Sequence, residues 1–156
     1  MSAHYVLIKW LHLVGAAVLL GSGIAIAFHL WITVRGKDAA AIAAAARATV
    51  LADFVFTLPA IVLQPLTGAA LAWAMGYPLG SPWIVASFAL YLVAGACWIP
   101  VVFIQLKLRA LAEKSALEGS PPGDEFHRLA RLWFVLGWPA FLAVGAIFWL
   151  MIARPA

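Results

Sequence analysis

The stretch KWLHLVGAAVLLGSGIAIAFHLW, residues 9–31, is the strongest indication of the fold, because only Lys9, His12, Ser22 and His29 in it have strongly polar side chains. A run of about 18 or more apolar residues is long enough to cross the ~30 Å hydrocarbon layer of a bilayer as a helix. The whole chain shares this bias: 66% of its 156 residues are hydrophobic and 10% are charged. We therefore predict an integral membrane protein whose main partner is the lipid bilayer.

Four apolar segments predict an all-α fold, a four-transmembrane-helix bundle that forms a single membrane domain. The expected spans are roughly residues 6–34, 50–75, 82–107 and 129–153, and each is long enough to cross a bilayer with some tilt. The alanine-rich segment before the second span is expected to form an interfacial helix, since alanine has the highest helix propensity. Proline removes a backbone donor and kinks a helix, and the last three spans contain Pro59, Pro65, Pro100 and Pro139.

The positions of the basic residues predict the orientation of the bundle. Lysine and arginine are abundant between spans one and two and around the joint between spans three and four, and absent between spans two and three. Joints rich in these residues face the cytoplasm, so both termini are expected on the periplasmic side. The net charge of +4 follows from this topology, and we infer no nucleic-acid partner from it. The basic residues at the two joints are Arg35, Lys37, Arg47, Lys107, Arg109, Lys114, Arg128 and Arg131.

His12 and His29 are the main candidate metal ligands, because ionisable side chains inside a membrane usually face the bundle and have a partner. They lie seventeen residues apart, or ~25 Å along a helix, so they cannot hold the same metal ion. With Gly15 and Ser22 they follow a helix-contact spacing, so both rings are expected to point inward. An inward imidazole either hydrogen-bonds to a neighbouring helix or donates a ring nitrogen to a metal, and the sequence leaves both roles open.

Two further polar groups, Lys9 and Asp53, have two interpretations each. Lys9, one turn before His12, either extends toward lipid phosphate or pairs with an anionic group bound beside His12, such as a haem propionate, with Arg154 assisting. Asp53, at the start of the second span, either caps that helix or pairs with Arg47, or it faces His29 and raises its basicity.

The segments KWLHLVGAAVLLGSG, FTLPAIVLQPLTGAALA, WIPVVFIQLKLR, RLWFVLGWPAF and WLMIARP resemble an uncharacterised family of predicted four-helix bacterial inner-membrane proteins. The likeness covers nearly the whole chain. It implies a multi-pass protein of the bacterial inner membrane and carries no established activity.

The K-x-x-H opening, the second histidine late in the first helix and the basic residue before the final proline also resemble bacterial membrane-bound protoporphyrinogen oxidase. More loosely, they resemble the membrane domains of copper-resistance protein D and of a membrane urate oxidase. The first resemblance implies a haem b or porphyrin pocket at Lys9, His12 and His29. The third helix has YLVAGACWIP where that family has a deep histidine, so a five-coordinate iron, or Met151 as sixth ligand, is expected.

The expected function is that of a haem b-binding membrane protein engaged in electron transfer with a membrane redox partner, or in porphyrin oxidation. His12 is the first choice of axial ligand and His29 the second. Two alternatives stay open: a non-catalytic accessory transmembrane subunit of a larger respiratory or transport complex, and a copper or small-solute permease. The residues do not decide whether the protein is an enzyme or forms a homo-oligomer. Three methionines and one cysteine supply few of the soft ligands that copper prefers.

Overall fold

The computed structural model describes residues 3–155, and every regular element in this part of the chain is helical. These elements form four continuous helical segments, called rods below, and each is long and apolar enough to cross a membrane. This confirms the all-α fold with four transmembrane helices. The second rod is continuous but contains a five-residue π-helical turn. The elements are α1 (Ala3–Val34), α2 (Ala39–Ala52), the π-helical turn (Asp53–Thr57), α3 (Leu58–Ala74), α4 (Pro82–Leu117) and α5 (Asp124–Ala153).

The helices extend beyond the predicted spans at one end of the bundle, here named the inner end, which carries the loops 35–38 and 118–123. The second rod begins at Ala39 rather than near residue 50, because the Asp38 carboxylate accepts hydrogen bonds from the N–H groups of Ala40 (2.9 Å) and Ala41 (3.2 Å). Such a cap satisfies donors that a helix start leaves free. Hydropathy marks the part of a helix that crosses lipid, so the predicted spans match the helices in number, and the helices continue beyond them.

Glycines in the left-handed region end two of the rods. Gly76 follows α3 with φ 71° and Gly119 follows α4 with φ 64°. Beyond Gly119, the N–H of Ser120 returns to the carbonyl of Ser115 at 3.1 Å, the pattern of a Schellman motif. Glycine adopts this conformation without the steric penalty of a Cβ atom.

The rods pack as two hairpins, α1 with α3 and α4 with α5, and α2 joins them by contacting both α1 and α4. Consequently the best-packed region lies toward the inner end, where four elements meet. Elsewhere large apolar side chains remain on the surface, where lipid would cover them. The core residues are Ile26, Leu30, Ile42, Ala43, Ala45, Ala46, Val101, Leu108, Ala112, Phe126, Ala130 and Trp133.

One proline contributes to the contact between the hairpins. Pro65 has no N–H, which leaves the carbonyl of Ile61, four residues earlier, without its usual helical donor. The hydroxyl of Tyr91 on α4 donates to that carbonyl at 2.7 Å. A tyrosine on the other hairpin therefore satisfies the carbonyl that the proline leaves free.

Candidate functional site

The side chain of His12 lies between α1 and α3, with its ring against the backbone of Gly68. A Cβ atom at residue 68 would lie 3.2 Å from Cε1 of His12, so the missing side chain makes room for the imidazole. Nδ1 of His12 lies 2.8 Å from Oγ1 of Thr67. The carbonyl of His12 accepts a hydrogen bond from Nε2 of Gln64 at 3.0 Å. Two polar contacts thus fix the helix and the ring at this position.

The Thr67 hydroxyl determines which nitrogen of His12 carries the proton. A hydroxyl has one hydrogen, and Thr67 donates it to the carbonyl of Leu63 at 2.6 Å. In its contact with His12 the threonine oxygen must therefore accept, which places the hydrogen on Nδ1. A neutral imidazole protonated at Nδ1 keeps a lone pair on Nε2, and that lone pair is available to a metal or to another donor.

His29 has different surroundings. Its side chain is exposed, whereas both histidines were expected to point into the bundle. Thr33 donates to the His29 carbonyl at 2.8 Å, and the residue borders a shallow cavity of about 220 Å³ between α1 and α2. The ring therefore lies at the edge of the packed inner region, in the opposite half of α1 from His12.

The other predicted haem-contacting residues do not form polar contacts with His12. Lys9 is exposed and Met151 is half-buried. The guanidinium of Arg154 contacts the hydroxyl of Tyr77 at 2.5 Å, and its Nε donates to the Met151 carbonyl at 3.3 Å. Arg154 is therefore held between the end of α5 and the loop after α3. No cluster of three or more His, Cys, Asp or Glu side chains that could hold a metal ion occurs within residues 3–155.

A second polar cluster lies around Asp53, which is 6% exposed. Its carboxylate accepts hydrogen bonds from Nε2 of Gln105 at 2.8 Å and from Nε1 of Trp98 at 3.3 Å. The side-chain oxygen of Gln105 in turn accepts from Nε1 of Trp133 at 3.3 Å. The cluster joins the second rod to α4 and α5. It is named the Asp53 network below and comprises Asp53, Trp98, Gln105 and Trp133.

The prediction that Asp53 pairs with Arg47 or faces His29 was wrong. Arg47 instead pairs with Glu113 at 3.7 Å, and His29 contributes no hydrogen bond to the carboxylate. The sequence did contain a signal for the observed pairing, because Gln105 and Asp53 are among the few strongly polar residues of their spans. Both also lie toward the inner ends of those spans. The amide and the carboxylate are therefore at the same depth in the membrane, where they can form a hydrogen bond.

A buried polar face continues along the second rod on either side of Asp53. Thr57, one turn later, lies 3.3 Å from the hydroxyl of Ser22 on α1. Thr49, one turn earlier, is 2% exposed, and its hydroxyl oxygen has no hydrogen-bond partner in the described part of the chain. The structure thus contains two separate groups of polar side chains, one around His12 and the other around Asp53.

Comparisons with known proteins place the chain at the level of a family. No curated protein and no solved structure matches it significantly, so the resemblance to protoporphyrinogen oxidase and copper-resistance protein D stays a prediction. A family model described as "Predicted integral membrane protein (DUF2269)" matches residues 6–155. Since this match covers nearly the whole sequence, the chain belongs to the DUF2269 family of predicted integral membrane proteins.

Proposed function

We propose that this protein binds haem b within the membrane and takes part in electron transfer or porphyrin oxidation, with His12 as the axial ligand. The observation that supports the proposal is the hydrogen bond between Nδ1 of His12 and Thr67. Metal-binding histidines commonly donate their second ring N–H to a nearby acceptor, which fixes the tautomer and the ring orientation. Helix bundles commonly hold cofactors on side chains of facing helices. When bound, the haem would supply the redox chemistry.

The donor set fits one axial ligand. His12 is half-buried and keeps Nε2 for the iron, whereas His29 is exposed in the other half of α1. We therefore propose that His12 would hold the haem, with His29 as the second-choice ligand for a separate group and Met151 as a candidate additional ligand beside His12. Lys9 would pair with a propionate, since it lies one turn from His12. Arg154 would have to break its contact with Tyr77 before it could pair with a propionate, so its role in haem binding would be secondary.

Optical spectroscopy tests the ligand. The protein is produced in haem-replete cells, purified in detergent and examined for a Soret band. We expect the band in the wild type, its loss in His12→Ala, and its retention in His29→Ala and in the control His127→Ala, because His127 is also exposed. A wild type without the band, or an undiminished band in His12→Ala, would overturn the proposal. Stoichiometric copper without a Soret band would instead favour the permease alternative.

A second pair of variants tests the role of the threonine. Thr67→Val has nearly the same shape but cannot accept the Nδ1 hydrogen, so the ring loses the contact that fixes its tautomer. We expect lower haem occupancy in Thr67→Val and recovery in Thr67→Ser, which restores the hydroxyl. Equal occupancy in all three proteins would contradict the tautomer argument, even if His12 proved to be the ligand.

We further propose that the protein lies in the bacterial inner membrane with both termini in the periplasm and exchanges electrons with a membrane redox partner. The basic residues of loop 35–38 and of the inner parts of α2, α4 and α5 support this orientation. In a Cys97→Ser background, a membrane-impermeant maleimide added to cells with a permeabilised outer membrane should label Gly80→Cys and not Lys37→Cys. The reverse pattern would refute the orientation. Purification with a stoichiometric partner, and without pigment, would favour the accessory-subunit alternative.

A further inference from the structure

Asp53 is a buried carboxyl group without a positive partner. The groups that donate to it, the side chains of Gln105 and Trp98, are uncharged. No ion pair within 4 Å involves it in the part of the chain that the structure describes. An ionised carboxylate in hydrocarbon is costly unless it is paired, and such residues commonly mark ion or proton pathways in membrane proteins. Binding a proton would remove the charge at this position.

Charged groups on the surrounding elements lie on the surface or in pairs. Arg47 of α2 pairs with Glu113, and Lys107 of α4 pairs with Glu125, while α3 has no titratable side chain. The other titratable residues on the inner halves of the packed helices are all exposed except Cys97, which is half-buried. They are His29 on α1, Cys97, Arg109 and Lys114 on α4, and Asp124, His127, Arg128 and Arg131 on α5.

The backbone at Asp53 is irregular as well. Asp53 begins the π-helical turn, and its carbonyl accepts from the N–H of Leu58 five residues later. Pro59 follows directly and has no N–H, so the regular hydrogen-bond ladder is interrupted beside the carboxyl group. Single π-helical turns inside α-helices are frequent at functional sites.

A surface cavity between α1 and α2 lies beside the residue that precedes Asp53. It has a volume of about 220 Å³, and the residues that border it include His29, Thr49 and Ala52, the residue directly before Asp53. Thr49 is 2% exposed, and its hydroxyl oxygen has no hydrogen-bond partner among residues 3–155. Buried polar groups of this kind are commonly satisfied by ordered water, and the cavity is much larger than the ~30 Å³ that one water molecule occupies in the liquid.

We propose that Asp53 is a proton-binding site that exchanges its proton with water on the inner side of the membrane through the cavity bordered by His29 and Thr49. A proton from that water binds one carboxylate oxygen and gives a neutral carboxyl; release returns it to water, and no electrons move. The Asp53 network changes with this step, because a carboxyl oxygen that carries hydrogen is a weaker acceptor for Gln105 or Trp98. The proposal does not depend on haem binding.

Infrared spectroscopy tests the proton site in reconstituted protein. We expect the carbonyl stretch of a protonated carboxyl to appear as the pH falls, to shift in D₂O, and to be absent from Asp53→Asn. The control Asp124→Asn, at an exposed position, should keep this band. If Asp53→Asn does not fold, Asp53→Glu should move the band to the frequency of a glutamic acid. An unchanged set of titrating bands in Asp53→Asn or in Asp53→Glu would overturn the proposal.

Cysteine labelling tests the route. In a Cys97→Ser background, a water-soluble thiol reagent applied to the inner side should label Ala52→Cys, which borders the cavity. It should not label the control Ala60→Cys, which is 4% exposed and lies one turn after the π-helical turn. Thr49→Val should also slow the D₂O shift of the Asp53 band. A protected Ala52→Cys together with an unchanged exchange rate in Thr49→Val would eliminate the cavity as the route.

Discussion

Replacing Gln105 by leucine should destabilise the bundle more than the loss of an ordinary membrane hydrogen bond. Gln105 is 2% exposed, and it both donates to Asp53 and accepts from Trp133. A hydrogen bond to a charged group, here the ionised form of Asp53, contributes about 1.5–3 kcal/mol, and interhelical hydrogen bonds in a membrane average about 0.6 kcal/mol. Leucine preserves the volume and removes both, so we expect the free energy of unfolding to fall by roughly 2–4 kcal/mol.

Reversible unfolding in mixed micelles with increasing SDS measures this free energy. The matched control is Gln64→Leu, which removes the single neutral bond from Gln64 to the His12 carbonyl and should cost about 0.6 kcal/mol. The comparison separates the effect of the carboxylate partner from the general effect of replacing a glutamine inside the bundle.

A double-mutant cycle with Asp53→Leu then isolates the pair. Each single variant leaves the other polar group without its partner, so the double variant should be less destabilised than the sum by about 0.5–3 kcal/mol. Additive losses would refute the reasoning. So would a Gln105→Leu protein within about 0.5 kcal/mol of the wild type, the range of a surface substitution.

Other substitutions test the local structure by the same unfolding measurement, each as a change in the free energy of unfolding. Gly119→Ala forces alanine into the left-handed region and should cost about 1–2 kcal/mol, whereas Gly80→Ala, at an exposed position without a positive φ and with nothing near its Cβ position, should be close to neutral. Phe126→Ala empties a position that is 1% exposed and should cost about 3–5 kcal/mol, whereas Phe103→Ala, at 68% exposure, should cost far less; equal losses would contradict the placement of the core at the inner end. Asp38→Ala removes the cap of α2 and should cost about 1 kcal/mol.

Hydropathy and helix signals in the sequence predicted the number of rods and most of the residues that form them. The four apolar segments correspond to the four spanning rods, because transfer of a residue into hydrocarbon depends on its own chemistry and that of its chain neighbours. The extra length of the second rod followed from Asp38 and the alanine run, both readable locally.

The partners of the polar side chains depended on the tertiary structure. His12 and His29 lie on one helix in similar apolar sequence, yet one is packed against Thr67 while the other is exposed. Asp53 finds Gln105 on α4 rather than Arg47, which is six residues away. Local hydropathy is sufficient to specify four membrane-crossing helices. The rotation and pairing of those helices specify which histidine contacts a threonine and which helix supplies the amide for the buried carboxyl. The physical reason is that burial in lipid is a property of each segment, whereas a hydrogen bond between helices requires two faces to meet at one depth.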